Sequence, residues 1–364
     1  MTKFTLNKKD FSKNFFQLFK LINTSTVLPI LETVMVRYDG KEFTFTSSDL
    51  ENTFDYKIPL HSCTPFDFCI DGRSLSNIIK NSISDELGFQ LNDKNIVISS
   101  GDFKVTMNIY NYLDYPKPPT LEKKNTFIIS SLVLKKILNN SINFNSKDYL
   151  RPALTGVFFE CNDGNLNIVS TDGHKMFYKQ EPIEQAVEGC FKVIVHHKCC
   201  KLLINSFDNE PIVIHVSDKY TKICGLQTTI TSRNIEANYP SWRSVIPKPV
   251  FSFNLMRKDL RAFIKIALPF CHHYTNEANI TINNETIKML GVNDNLDSSF
   301  EYSLPVYNAS NSFSINISVN IKFLKTILSV NSKDEYVKFD ITESGLKAVT
   351  IDGCCLFMPI MGGN

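Results

Sequence analysis

One short pattern recurs six times along the 364 residues and constrains the fold more than any single residue does. From an apolar origin, further apolar residues stand at offsets +2, +7, +10 and +11. The first copy is Phe4, Leu6, Phe11 and Phe15, with polar Asn14 as its exception; the second is Phe68, Ile70, Leu75, Ile78 and Ile79. Then come Phe127, Ile129, Leu134, Ile137, Leu138; Val193, Val195, Cys200, Leu203, Ile204; Phe253, Leu255, Leu260, Phe263, Ile264; and Ile317, Val319, Leu324, Ile327, Leu328. The first two members of each copy alternate as one face of a strand does. The last three sit at i, i+3, i+4, the stripe of an amphipathic helix, so each copy predicts strand, turn, helix.

The origins lie 64, 59, 66, 60 and 64 residues apart, so long and short intervals alternate and the larger unit is a pair of copies. Repeats of this kind signal architecture before chemistry. Three domains follow, at 1–122, 123–248 and 249–364. Ser47-Ser48-Asp49, Ser170-Thr171-Asp172 and Val292-Asn293-Asp294 end apolar runs at matching places, and Tyr115-Pro116 and Tyr239-Pro240 mark linkers, because X-Pro steps favour extended chain. Between the helices the repeats read as antiparallel hairpins, clearest at Asn162-Asp163-Gly164 between Gly156–Glu160 and Leu166–Ser170. The expected class is α+β, with two helices per domain packed on antiparallel sheet.

No run approaches the 18 or so apolar residues of a membrane span, and Met1–Asp10 carries Lys3, Lys8 and Lys9 without the apolar core of a signal peptide. A soluble, cytoplasmic protein is expected. The ten cysteines include no C-x-x-C pair, and several fill apolar slots of the repeat, so they read as buried reduced thiols. His196-His197-Lys198-Cys199-Cys200 and Cys271-His272-His273 lack a second ligand pair at a finger-like distance, and no metal is expected.

The formal charge of +2 conceals a segregation. The six helical windows hold 16 basic and 4 acidic residues, a balance of +12, which leaves −10 for everything else. Glu is as good a helix former as Lys, so helix propensity does not explain this bias. Cationic helices on an otherwise acidic chain are the electrostatic footprint of a nucleic-acid binder with one binding side. Helices packed side by side sit about 8 to 10 Å apart, so a closed circle of six leaves only about 7 Å clear. Twelve leave about 24 Å, wide enough for a duplex, so a ring built from this repeat needs two chains.

Several segments carry a resemblance across the whole length. They are Leu28-Pro29-Ile30-Leu31, Thr46-Ser47-Ser48-Asp49-Leu50-Glu51, Arg151-Pro152-Ala153-Leu154-Thr155-Gly156, Thr171-Asp172-Gly173-His174-Lys175, Tyr239-Pro240 through Val245-Ile246-Pro247-Lys248, and Met358-Pro359-Ile360. In their order and spacing the chain resembles the bacterial DNA polymerase III β subunits, the sliding clamps. The resemblance implies a DNA clamp (processivity) fold, a head-to-tail homodimer forming a six-domain ring around double-stranded DNA, and a non-catalytic role tethering the replicative DNA polymerase. It implies neither cofactor nor metal. Its implied partners, besides DNA and a second copy, are the polymerase, the clamp loader and other proteins carrying a clamp-binding peptide.

Sliding contacts must go to phosphates and ignore sequence, which suits Lys and Arg on helices that cross the grooves. The candidates here are Lys13, Arg73, Lys80, Lys136, Lys198, Lys201, Arg261, Lys265 and Lys325. By resemblance, a peptide pocket between domains two and three is walled by Leu154, Thr171, Gly173, His174, Met176, Pro240, Val245 and Met358, with Arg151, Pro359 and Ile360 at its rim. Ser244 stands where many relatives have Arg, and the chain ends Met361-Gly362-Gly363-Asn364 where they often have a basic residue, which bears on peptide preference. A head-to-tail interface joins domain one to domain three of the partner. Arg73, Lys104, Val105 and Met107 are its expected first side, and Leu268, Phe270, Asp294, Asp297 and Glu301 its second.

Two rival readings meet the same residues. Asp172 with His174, or Cys199 with His197, suggests an enzyme, but neither pair has a third partner at a recognisable spacing, and Asp172 has counterparts in the other domains. An open, protein-binding repeat array is the second.

Overall fold

The computed structural model describes all residues except 1, 23–27, 60–63, 118, 120, 122–124, 184–189, 247, 273, 294–296, 311–313, 331–332, 343–344, 351–352, 359 and 361–364, and no side chains at 342 and 345–350. The strand–helix pattern takes shape at five of the six copies. Helices α1 (Gly72–Asn81), α2 (Ser131–Ser141), α3 (His197–Ser206), α4 (Arg257–Ala267) and α5 (Ile321–Ser329) each follow their strand directly. Their stripes turn inward: Leu75, Ile79, Leu134, Leu138, Cys200, Leu203, Leu260, Phe263, Leu324 and Ile327 are buried. Side chains also start the helices. Asp71 accepts a hydrogen bond from the Ser74 backbone N–H at 2.8 Å, and Asn320 accepts one from Lys322 at 2.9 Å, filling donors that a helix leaves orphaned.

The first copy departs from the expected helix. It forms two 3-10 segments, Lys8–Asp10 and Phe15–Lys20. Asn7 and Asp10 cap each other across the first turn, Asn7 N–H donating to Asp10 Oδ2 at 2.8 Å and Lys9 N–H to Asn7 Oδ1 at 3.0 Å. Phe11 then leaves helical geometry, with φ −90° and ψ 75°. Crowded aromatic side chains lose rotamer freedom in an α-helix, and here they pack sideways instead. The Phe15 ring meets Phe11, Phe16, Phe19, Phe45 and Tyr56 with centroids 4.8 to 5.5 Å apart. Tyr56 is tied to the same turn by a 2.9 Å hydrogen bond to Ser12.

Packing divides the chain into two compact bodies, one of residues 1–134, 183–189 and 198–234, the other of 135–182, 190–197 and 235–364. In the first, twelve strands form one antiparallel sequence of neighbours. It runs Thr2–Asn7, Glu86–Leu91, Asn95–Ser100, Phe103–Tyr110, Phe66–Asp71, Thr33–Tyr38, Glu42–Ser48, Asn52–Pro59, Thr228–Arg233, Tyr220–Cys224, Pro211–Val216, Asn125–Ser130. Asn52–Pro59 belongs to the first repeat pair and Thr228–Arg233 to the second, and they pair from Asn52↔Ser232 to Tyr56↔Thr228. Ser232 Oγ donates to Asn52 Oδ1 across that seam at 2.9 Å.

The second body holds an eight-stranded sheet, Phe191–Val195, Val157–Asn162, Asn165–Thr171, Lys175–Pro182, Gly353–Phe357, Gly345–Thr350, Tyr336–Thr342, Phe251–Met256, and a four-stranded one, Ser298–Pro305, Thr286–Asn293, Glu277–Asn283, Ser314–Asn320. Here too a seam joins repeats: Lys175, Met176, Phe177 and Tyr178 pair with Phe357, Leu356, Cys355 and Cys354. No helix is long and apolar enough to cross a membrane among the described residues.

Two outcomes follow from this packing. Phe15 is wholly buried, so Phe15→Ala is expected to cost the body that holds it about 3 to 5 kcal/mol, read as a lower urea midpoint. Burial pushes the Cys199 thiol up to about 12 and the Cys200 thiol well above its usual range, keeping both protonated and unreactive at pH 8. Iodoacetamide at that pH, followed by mass spectrometry, is expected to label exposed Cys190 and to reach Cys199 and Cys200 only after denaturant is added.

Candidate peptide site and cationic helices

The turn between Asn165–Thr171 and Lys175–Pro182 is built by Asp172. Its Oδ1 accepts from the backbone N–H of His174 and of Lys175, both at 2.9 Å, and its Oδ2 meets Lys175 Nζ at 3.0 Å. Gly173 takes φ +94°, a conformation L side chains rarely adopt, with the Arg151 guanidinium 3.3 Å from where a Cβ would stand. Asp49 makes the same turn in the first repeat pair, accepting from Glu51 N–H at 3.2 Å and Asn52 N–H at 2.7 Å, with Leu50 at φ +76°. The carboxylate of Asp172 is therefore spent on backbone, and it is a repeated device rather than a base for His174. His197 lies beside Asn145, its Nδ1 3.4 Å from Asn145 Nδ2.

Beside this turn lies an open cavity of about 250 Å³. All eight expected wall residues, Leu154, Thr171, Gly173, His174, Met176, Pro240, Val245 and Met358, line it. Leu154, Met176, Trp242 and Leu356 form a buried floor, while Val245 and Met358, both about half exposed, form the lip. The seam described above brings Met176 opposite Leu356, and a 2.9 Å bond from Met358 N–H to the His174 carbonyl extends it. Ile360 N–H donates to the Ser318 carbonyl at 2.7 Å, anchoring the segment beyond the lip. Arg151 pairs with Asp148 at 3.5 Å. Pro359 lies outside the described residues.

Lys175, Ser241, Trp242, Leu356 and Phe357 also line the cavity and were missed in the sequence. Leu356 stands two residues before Met358, the spacing at which extended chain puts side chains on the same side. Lys175 is held as a strut: its ammonium donates to the Asn143 carbonyl at 2.9 Å and lies 5.2 Å from the Phe144 ring centroid. The cavity is thus mainly apolar with a few fixed polar edges, the character of a peptide groove.

Of the nine expected phosphate contacts, Lys13, Arg73, Lys80, Lys136, Lys201, Arg261, Lys265 and Lys325 are exposed on or beside the helices. Lys198 is half-buried and bound to Asp49 at 2.6 Å, so its charge is already engaged. Lys80 sits 5.2 Å from the Phe16 ring, and Lys8 donates to the Ser82 carbonyl at 2.6 Å, joining the first 3-10 segments to the end of α1. Arg257 is buried, its Nε donating to the Asp334 carbonyl at 3.0 Å, and adds little to the exposed charge of α4.

Two sheet edges hold Lys104, Val105, Met107 and Glu301, while Leu268 and Phe270 stand on the 3-10 turn Leu268–Phe270. Strand Phe103–Tyr110 pairs along one side with Asn95–Ser100, but on its other side only Ile109 and Tyr110 meet a strand among the described residues. Lys104, Val105 and Met107 stand on that open stretch, and Val105 borders a groove of about 610 Å³ with Ile78, Ile83 and Phe103. Strand Ser298–Pro305 is an edge of the four-stranded sheet and carries Glu301, which pairs with Lys288 at 2.7 Å. Phe270 and Asp297 are exposed and Leu268 half-buried; Asp294 lies outside the described residues.

Known proteins agree on what this arrangement is similar to. Residues 2–119 match the family model "DNA polymerase III beta subunit, N-terminal domain" and 128–241 match "DNA polymerase III beta subunit, central domain". The chain is 24% identical to a beta sliding clamp of Buchnera aphidicola over 96% of this chain and 98% of that one, and 22% identical to that of Pseudomonas aeruginosa over 95% of each. Among solved structures, the DNA polymerase III subunit beta of Pseudomonas aeruginosa shares the fold with a TM-score of 0.92 at 19% identity, covering 98% of this chain and 99% of that one. The sliding clamp of Bacillus subtilis does so at 0.91 and 20%, over the full length of both. The two domain matches, the full-length relatives and the shared fold make this chain a member of the bacterial DNA polymerase III β subunit family.

Proposed function

We propose that the chain is a sliding clamp for DNA replication: two copies close head to tail around duplex DNA and tether the replicative DNA polymerase, conferring processivity by enclosure and not by catalysis. The observation that carries this reading is the set of exposed Lys and Arg side chains on repeated helices whose apolar stripes are sunk in the sheets. Mobile cations of this kind bind phosphates without reading sequence, so movement along the axis stays easy while topology supplies persistence. Lys13, Arg73, Lys80, Lys136, Lys201, Arg261, Lys265 and Lys325 are the proposed contacts, with Lys198 a weaker one because Asp49 competes for it. The repeated domains are 1–122, 123–248 and 249–364, a division supported by the limits of the two family matches.

The cavity at Met176, Trp242, Leu356 and Met358 is the proposed dock for a short peptide carried by the polymerase, the clamp loader and other clamp-binding proteins. Such a protein works in the cytoplasm, where the replicating chromosome lies. The open strand edge at Lys104–Met107 and the edge strand that carries Glu301 are the proposed halves of the ring interface, with Arg73 on the first side and Leu268, Phe270, Asp294 and Asp297 on the second. Open edges are templates for pairing with another chain, and a heterologous contact of this kind closes into a ring only with the right rotation.

Loaded onto a nicked circular plasmid, the protein is expected to stay bound through gel filtration in high salt and to be lost once the plasmid is cut. Equal retention on circular and linear DNA would favour an open array. For the interface, charge reversal by Arg73→Glu with Lys104→Glu is expected to weaken the dimer at least tenfold in sedimentation equilibrium; an unchanged dissociation constant removes those two residues from the interface.

A further inference from the structure

Glu160 lies on strand Val157–Asn162 and is 4% exposed. Its Oε2 accepts from Trp242 Nε1 at 3.2 Å and from the Arg243 guanidinium, and its Oε1 meets Lys192 Nζ at 3.3 Å. A buried carboxylate is tolerated only when it is paired and hydrogen-bonded. Burial alone would raise its pKa, but hydrogen bonds from Arg243, Lys192 and Trp242 outweigh burial and hold the carboxyl below its ordinary value. The Arg243 guanidinium in turn lies 4.2 Å from the centre of the Trp242 ring. One carboxylate thereby locks two successive residues of the 3-10 turn Trp242–Val245.

That turn is a wall of the cavity, yet Glu160 is not among the residues that line it. Trp242 packs with Phe158, Val169, Met176, Ile194 and Leu356, so its position also sets the floor. The neighbour of Arg243 is Ser244, which carries no charge. We propose that Glu160 is a positioning and specificity-determining residue of the peptide site: it docks the Trp242–Val245 turn as an apolar wall and draws the Arg243 charge away from the bound peptide. The proposal rests on the peptide reading of the cavity. It predicts that releasing Arg243 both loosens the wall and creates a preference for an acidic peptide residue, which a purely structural role would not do.

Trp242 is the single tryptophan of the sequence, so the fluorescence of the whole protein reports this wall. The probes are two labelled hexapeptides with the same pair of large apolar residues at the end, differing by Asn or Asp at the position before them. Glu160→Gln and Arg243→Gln are each expected to weaken the Asn peptide about tenfold, with the double variant no weaker than either single one, as one shared interaction requires. Glu160→Gln is expected to red-shift the tryptophan emission and to move relative affinity toward the Asp peptide about threefold; Arg243→Gln is expected to show no such preference. Single variants that bind as the unaltered chain does, or losses that multiply in the double variant, overturn the proposal. If Glu160→Gln loses cooperative unfolding, Arg243→Gln decides alone: unchanged affinity overturns, a tenfold loss supports. An unaltered chain that binds neither peptide overturns the peptide reading itself, whereas binding that both variants leave intact overturns only the role of Glu160.

Discussion

Backbone pairing across the repeat boundaries is the constraint on which the rest of the structure depends. Asn52–Tyr56 with Thr228–Ser232, and Lys175–Tyr178 with Cys354–Phe357, turn strands that would otherwise be sheet edges into interior strands. An unpaired edge exposes a row of donors and acceptors, and pairing it with the neighbouring repeat satisfies them while burying the side chains on either side. Ser232 and Asn52 at one seam, and Phe177 and Cys355 at the other, are buried as a result. The second seam also makes the cavity, because it sets Met176 opposite Leu356 and leaves Met358 to continue past the end of the ladder.

The same economy of means appears in the turns. Asp49 and Asp172 each gather two backbone N–H groups from the residues that follow, and the residue after each takes a positive φ, Leu50 in one and Gly173 in the other. The geometry is common, but what surrounds it differs. Asp49 receives Lys198 from α3 and belongs to a seam, whereas Asp172 faces the strut Lys175 and leaves Gly173 and His174 beside the cavity. A repeated local structure borders a cavity at one of its occurrences because of the side chains around it.

Charge follows a similar division between local pattern and context. The excess of Lys on the helical windows is a property of composition, and most of those side chains are exposed. Their availability is decided by neighbours. Lys198 is drawn into Asp49, Lys80 lies over Phe16, and Arg257 is pulled under α4 toward the Asp334 carbonyl. Charge counts over a window treat these as equals, although an exposed Lys and a buried Arg present very different fields to a phosphate.

Hydrophobic spacing alone determined where the strands turn into helices, because a period of 2 followed by a stripe at i, i+3, i+4 fits no other local structure, and five α-helices stand where it places them. The family resemblance named eight residues that the fold brings around one cavity. The Asn7–Asp10 cap is local, but the sequence could not show that Phe15 would pack against Phe45 and Tyr56 and leave 3-10 turns in place of the first helix, since those rings come from distant strands. Nor could it show that Trp242 would reach Glu160, 82 residues away, or that Leu356 would meet Met176. Those contacts exist only once segments distant in the sequence meet, and contact across such distances is settled by burial and register in the assembled sheet, which no local pattern encodes.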